Sequence, residues 1–152
     1  MFKKIIWIAL VVFIAIQFIQ PARNTSNKIL PTDITMLYRV PDSVQSLLKT
    51  ACYDCHSNNT MYPWYSRIQP GAWFMANHVK SGKEDLNFSE FGSYSLRKQQ
   101  HKLKSIVEEI NEGDMPITSY KLMHSNARLD EHEKAVLVDW ATQTKDSLTS
   151  KN

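Results

Sequence analysis

The chain has 152 residues, a formal charge of +3 and only two cysteines, which fits one modest domain with an appendage. Hydrophobic residues make up 43% and charged residues 22%, so disorder along the whole chain is excluded. Lys3, Lys4 and Arg23 account for the charge excess, because residues 24–152 carry equal numbers of basic and acidic side chains. A neutral domain argues against binding to a nucleic-acid phosphate backbone.

The N-terminus has the features of a membrane signal. Lys3 and Lys4 precede residues 5–19, an apolar run that only Gln17 interrupts. At about 1.5 Å per residue this run gives roughly 22 Å of helix, which is short against a hydrocarbon core of about 30 Å. No clear cleavage site follows, so we expect residues 1–20 to be an uncleaved signal-anchor; a cleaved signal peptide or a buried core helix are the alternatives.

The two lysines also predict the orientation of the chain. Positive residues that precede an apolar helix stay in the cytoplasm. We therefore expect a single-pass protein of the bacterial inner (cytoplasmic) membrane, with everything after Arg23 on the outer, periplasmic face.

The rest of the chain divides into a tether, a domain and a tail. Three prolines among polar residues predict an extended tether over residues 21–41. Residues 42–145 are expected to form the domain, and residues 146–152 a disordered tail. A capping box over residues 42–45 begins a short helix that runs into Cys52.

Further helices are predicted along the domain, and no segment alternates like a strand. One helix begins at Pro70 and is ended by Gly82. An amphipathic helix covers about residues 95–112 and stops at Gly113, and a last helix follows residue 130. The fold class is therefore all-α with long loops, which needs something else to fill the core.

The motif Cys52-Tyr53-Asp54-Cys55-His56 suggests what fills it. Cys-x-x-Cys-His is the attachment sequence of a c-type haem. Two cysteines three residues apart on a helical turn can each add to one vinyl group of a porphyrin, and His56 can then bind the iron. One covalent haem c would also supply a large apolar disc for the core.

Other uses of the two cysteines fit less well. A thioredoxin-type site needs a strand–helix context, which the pattern lacks. A structural zinc site needs four ligands, so histidines would have to supply two of them. A disulfide between Cys52 and Cys55 would close a tight loop and stabilise little.

The second axial ligand of the iron is predicted from the loops. Met115 is the first choice, because Pro116 keeps its loop out of a helix and lets it pass over the haem. His124 is the alternative and His78 comes next; packing of Met115 in the core is the plainer interpretation. His101 and His132 lie in charged helical stretches and are expected in solvent. Two tryptophans are candidate pocket walls that could bond a haem propionate: Trp64 and Trp73.

Several separated motifs together resemble the bacterial haem-binding domain family, which is cytochrome c-like. They are residues 51–60 around the attachment motif, residues 62–66, residues 87–89, residues 113–116 and Trp140. The resemblance covers roughly residues 20–142. It implies a single covalent haem on Cys52, Cys55 and His56, in a cytochrome c-like helical domain.

These features predict an electron carrier rather than an enzyme. Filled axial positions would leave no vacant site on the iron, which favours electron transfer to an unidentified redox partner at the membrane surface. The alternatives are a haem-based sensor or small catalytic domain with an open sixth position, and an assembly factor whose haem supports folding.

Overall fold

The computed structural model describes residues 1–26 and 28–149. Within these residues the fold is all-α, as predicted, and the one β-type pairing is an isolated bridge between Thr25 and Asn59. Eight α-helices follow one another: α1 (Phe2–Ile16), α2 (Ile34–Leu37), α3 (Asp42–Ala51), α4 (Tyr53–His56), α5 (Gly71–Asp85), α6 (Leu96–Glu112), α7 (Thr118–Met123) and α8 (Glu131–Thr149). Three 3-10 helices lie between them: Trp64–Arg67, Phe88–Ser93 and Ser125–Ala127.

Helix α1 is apolar and stands apart from the core. None of its 15 residues is buried. It ends at Ile16, so it is shorter than the predicted segment 1–20. In the part of the chain that the structure describes, no helix has both the length and the apolar character needed to cross a membrane.

The core lies between α6, α8 and the segments that pack on them. Leu103 of α6 and Leu137 of α8 are fully buried, and Phe91 of the second 3-10 helix is buried with them. Trp140 donates its indole N–H to the carbonyl of Arg39 at 3.2 Å, which fixes the lead-in to α3 on α8. The C-terminal helix thus organises the domain.

Two predicted boundaries need correction. Helix α5 continues through Gly82 to Asp85, because this glycine serves close packing rather than helix termination. A Cβ at Gly82 would lie 2.8 Å from the carbonyl oxygen of Cys55. The last helix reaches Thr149 with Leu148 buried, so residues 146–149 are helical and not a disordered tail; residues 150–152 lie outside the described residues.

The first part of the predicted tether is bound to the domain. The Asn24 side chain donates to the carbonyl of Ser57 and to the hydroxyl of Thr60, at 2.8 and 2.9 Å. Lys83 donates to the Asn24 side-chain oxygen at 2.7 Å. These bonds hold the segment after α1 against the turn that follows α4.

Candidate functional site

The attachment motif forms one tight turn directly after α3. Helix α3 ends at Cys52, and α4 covers the next four residues. The backbone N–H groups of Cys55 and His56 both donate to the carbonyl of Cys52, at 3.2 and 3.0 Å. This turn places both thiols on the wall of one cavity.

The cavity has a volume of about 490 Å³, and the predicted distal ligand, Met115, also lines it. Cys52, Cys55 and His56 line one part of it, and Met115 and Pro116 line another. Much of the remaining wall is apolar, with side chains from four helical segments and from the residue after α5: Leu48, Leu86, Phe88, Ile106, Ile110 and Leu137. The volume is of the size that proteins use for cofactors, about 300–1,000 Å³.

His56 is held by one ring nitrogen. Its Nδ1 lies 3.0 Å from the carbonyl oxygen of Leu86, and since a carbonyl can only accept, Nδ1 carries the hydrogen. Nε2 is then the nitrogen with a free lone pair. A backbone carbonyl that fixes the tautomer in this way is the usual support of a metal-binding histidine.

Met115 is placed by the end of α6. Gly113 adopts a left-handed conformation with φ of 81° and ends the helix, as predicted. The N–H groups of Asp114 and Met115 then donate to the carbonyl of Glu109, at 3.1 and 3.2 Å. Glycine is needed here because other residues are strained at positive φ. The cap therefore turns the chain so that Met115 lines the cavity.

Burial raises the pKa of both thiols. It takes the pKa of Cys52 to about 12, with a smaller contribution from Cys55. It takes the pKa of Cys55 to about 11, with a smaller contribution from the Asp54 carboxylate. Both cysteines are free and carry protons at neutral pH.

A buried carboxylate beside the motif was not among the predicted site residues. Asp54 accepts the N–H of Met61 and the hydroxyl of Tyr120, both at 2.8 Å. Tyr120 lines the cavity, and burial, followed by its bond to Asp54, raises its pKa. Asp54 could have been noticed in the sequence because it lies inside the attachment motif. Its partner Tyr120 lies on α7, and sequence spacing does not predict that contact.

Several predicted residues do not reach the cavity. The His124 ring stacks on Tyr120, with centroids 4.0 Å apart, and its Nε2 lies 3.2 Å from the Tyr65 hydroxyl. Trp64 and Trp73 are exposed and do not line the cavity, so the structure does not support either as a pocket wall.

Two other histidines do line the cavity, His78 and His101. His101 was expected in solvent and is exposed at the cavity edge, whereas His132 is exposed and absent from the wall. The Nδ1 of His78 lies 2.9 Å from the carbonyl of Phe74. Helix α5 places His78, the third candidate for the distal ligand, on the cavity wall.

The donor set fits a haem better than a bare metal ion. Two protonated thiols, one imidazole nitrogen and one thioether sulfur surround an apolar cavity, and these are the groups that hold a c-type haem. Among the described residues no group of three or more His, Cys, Asp or Glu side chains could hold a metal ion.

Comparison with known proteins gave one match. A family model described as "Haem-binding domain" matches residues 11–143. It covers most of the chain, including the attachment turn, the cavity and α8 up to residue 143. Neither curated proteins nor solved structures gave a match.

Proposed function

The chain belongs to the haem-binding domain family, and from that premise we propose that it is a membrane-anchored, c-type cytochrome-like protein that transfers electrons through one covalent haem. The observation that carries the proposal is the meeting of Cys52, Cys55, His56 and Met115 around one apolar cavity. Each of its parts is supported by a different feature of the structure.

Covalent attachment is supported by the two thiols. Cys52 and Cys55 lie on one turn and face one cavity. Addition of a thiol across a vinyl group forms a C–S and a C–H bond and loses no atom, so the reaction needs no oxidant. A single attachment motif in the chain limits the covalent haem count to one.

The axial positions are assigned to His56 and Met115. His56 keeps Nε2 available because Leu86 accepts from Nδ1, and Met115 supplies sulfur from a different part of the wall. When bound, haem supplies a one-electron Fe(II)/Fe(III) couple. The two side chains would leave no open position for oxygen or peroxide, which favours electron transfer.

Membrane anchoring is supported by α1. Apart from Lys3 and Lys4 its side chains are apolar and nearly all exposed, and exposed apolar residues continue through Phe18 and Ile19. A bilayer can thin around a short apolar segment, at a modest cost. Lys3 and Lys4 would keep the N-terminus in the cytoplasm and place the haem domain on the outer face.

Intact mass tests the covalent haem. The full chain, produced with a cytochrome c maturation system and extracted to remove loose haem, should carry the added mass of one haem. Cys52→Ala with Cys55→Ala should lose this mass, whereas Ser81→Ala, a substitution elsewhere in the cavity wall, should keep it. Covalent haem on the double variant would overturn the proposal.

A further inference from the structure

A group of large apolar side chains is exposed on the segment before and at the start of α5. We call it the aromatic face: Met61, Trp64, Ile68, Trp73 and Phe74. Met61 is 79% exposed, Trp64 77% and Phe74 58%. Single exposed hydrophobic residues are ordinary, but a cluster on one short segment marks an interaction surface.

The aromatic face is attached to the C-terminal end of α1 by glutamines. The backbone N–H of Gln69 donates to the side-chain oxygen of Gln17 at 2.9 Å, and the Gln69 side chain donates to the carbonyl of Ile19 at 2.6 Å. Gln20 donates to the carbonyl of Arg67 at 3.1 Å. The segment that carries the aromatic face is therefore bonded directly to the end of α1.

The contact between the aromatic-face segment and the end of α1 is fixed by the buried side chain of Gln69. This side chain is 1% exposed, and its oxygen also accepts the backbone N–H of Trp73 at 3.2 Å. A buried amide with its partners satisfied keeps one arrangement, because breaking it leaves polar groups without bonds. The domain thus has a defined orientation relative to α1.

The two chain segments that meet here carry only basic charge, and the Asp54 carboxylate that accepts the Met61 N–H is buried. Residues 1–32 and 61–83 contain no acidic residue, so every Asp and Glu lies in other parts of the chain. Arg23 stacks over the Tyr62 ring at 4.5 Å, and Arg67 lies within the aromatic face segment. Basic side chains near a membrane are attracted to anionic lipid, and tryptophans favour the headgroup level.

We propose that the aromatic face lies in the headgroup region of the outer leaflet, beside the end of α1, and that it seats the domain on anionic lipid in one orientation. The inference rests on the proposed anchoring by α1. It places the lipid surface beside the end of α1, because the segment that carries the face is bonded there.

Hydroxyl-radical footprinting of the full haem-loaded chain in vesicles tests this inference. The vesicles contain phosphatidylcholine with about one third phosphatidylglycerol. Trp7 in α1, 67% exposed, reports the anchor, and Trp64 reports the aromatic face. Met36, 64% exposed on α2, is the matched control for Met61. We expect oxidation of Met61 to fall at least about fivefold relative to Met36, with Trp7 and Trp64 both protected.

The experiment distinguishes the seating of the aromatic face on lipid from the anchoring by α1. If Trp7 is protected, but Met61 is oxidised as readily as Met36 and Trp64 is not protected, the seating of the aromatic face on lipid is wrong. The anchoring by α1 then stands. If Trp7 is oxidised freely, the anchoring itself fails and the inference fails with it.

A variant gives a second measurement. Trp64→Ser with Ile68→Ser changes two exposed residues outside the cavity wall and should restore oxidation of Met61 in vesicles without altering the haem spectrum. Leu96→Ser, a change at an exposed residue of α6, should leave Met61 protected. Continued protection of Met61 in the double variant would contradict the seating of the domain through these side chains.

Discussion

Cys52 and Cys55 keep their protons more firmly than ordinary thiols. An unperturbed cysteine has a pKa of about 8.5, whereas burial raises the pKa of Cys55 to about 11 and that of Cys52 to about 12. The thiolate is the species that is alkylated or oxidised. The raised pKa therefore slows oxidation and alkylation of the two free thiols, which would keep them available for the proposed attachment of haem.

Alkylation of the haem-free chain measures this protection. A raised pKa means less thiolate at a given pH, so at about pH 8 iodoacetamide should react about 100-fold more slowly with the folded chain than in urea. The rate should rise about tenfold per pH unit toward pH 11 in the folded chain, and level off above about pH 9 in urea. Equal rates under both conditions would contradict the raised pKa of the two thiols.

At the scale of elements, the close contact between α5 and the attachment turn positions the motif. Gly82 lies against Cys55 so closely that any side chain must move one of the two segments. Helix α6 contributes the other half of the site, since its left-handed cap at Gly113 directs Met115 to the cavity wall.

Gly82→Ala should therefore destabilise the protein and impair the site. The added Cβ would lie 2.8 Å from the Cys55 carbonyl oxygen, which should lower the free energy of unfolding by about 1–3 kcal/mol and reduce haem incorporation. Gly71→Ala is the matched control, because its Cβ would have no neighbour closer than 4.0 Å. Urea unfolding followed by circular dichroism measures both. A loss no greater than that of the control would show that the contact is not needed.

The two glycines also show what the sequence could predict. Helix α6 ends at Gly113 because that residue adopts a positive φ, and this end was predicted correctly. Gly82 was predicted to end α5 for the same local reason, and that was wrong because its role depends on a segment 27 residues away, at Cys55. The attachment motif and the Met-Pro loop were identified as local patterns, and the structure places them on one cavity. The Asp54–Tyr120 bond joins residues that only the fold brings together.

At the scale of the whole molecule, the domain extends further toward the N-terminus than predicted. Residues 21–41 were expected to be a tether, but Asn24 is bonded to the segment after the attachment turn, and Ile34 of α2 is fully buried. Proline and polar residues mark irregular backbone, and irregular backbone can still be fixed by side-chain bonds. Asn24 and Ile34 thus fix two points of the segment between α1 and α3 to the domain.

Asn24→Ala tests this connection. It removes the amide that donates to Ser57 and Thr60 and accepts from Lys83. We expect the free energy of urea unfolding to fall by about 1–3 kcal/mol, whereas Asn126→Ala, at an exposed position, should change it by less than about 0.5 kcal/mol. Equal free energies of unfolding for the two variants would indicate that residues 21–26 act as a tether.

The axial ligands of the iron are tested most directly by the absorption spectrum of the purified protein. We predict a low-spin ferric haem with the weak far-red band of iron–sulfur ligation, and no rapid CO binding after reduction. Met115→Ala should abolish the band and open the iron to CO, while Met123→Ala, outside the cavity wall, should change neither. A high-spin spectrum with rapid CO binding in the unmodified protein would contradict the electron-carrier account and support a sensor. Retention of the band in Met115→Ala would show that the ligand assignment is wrong.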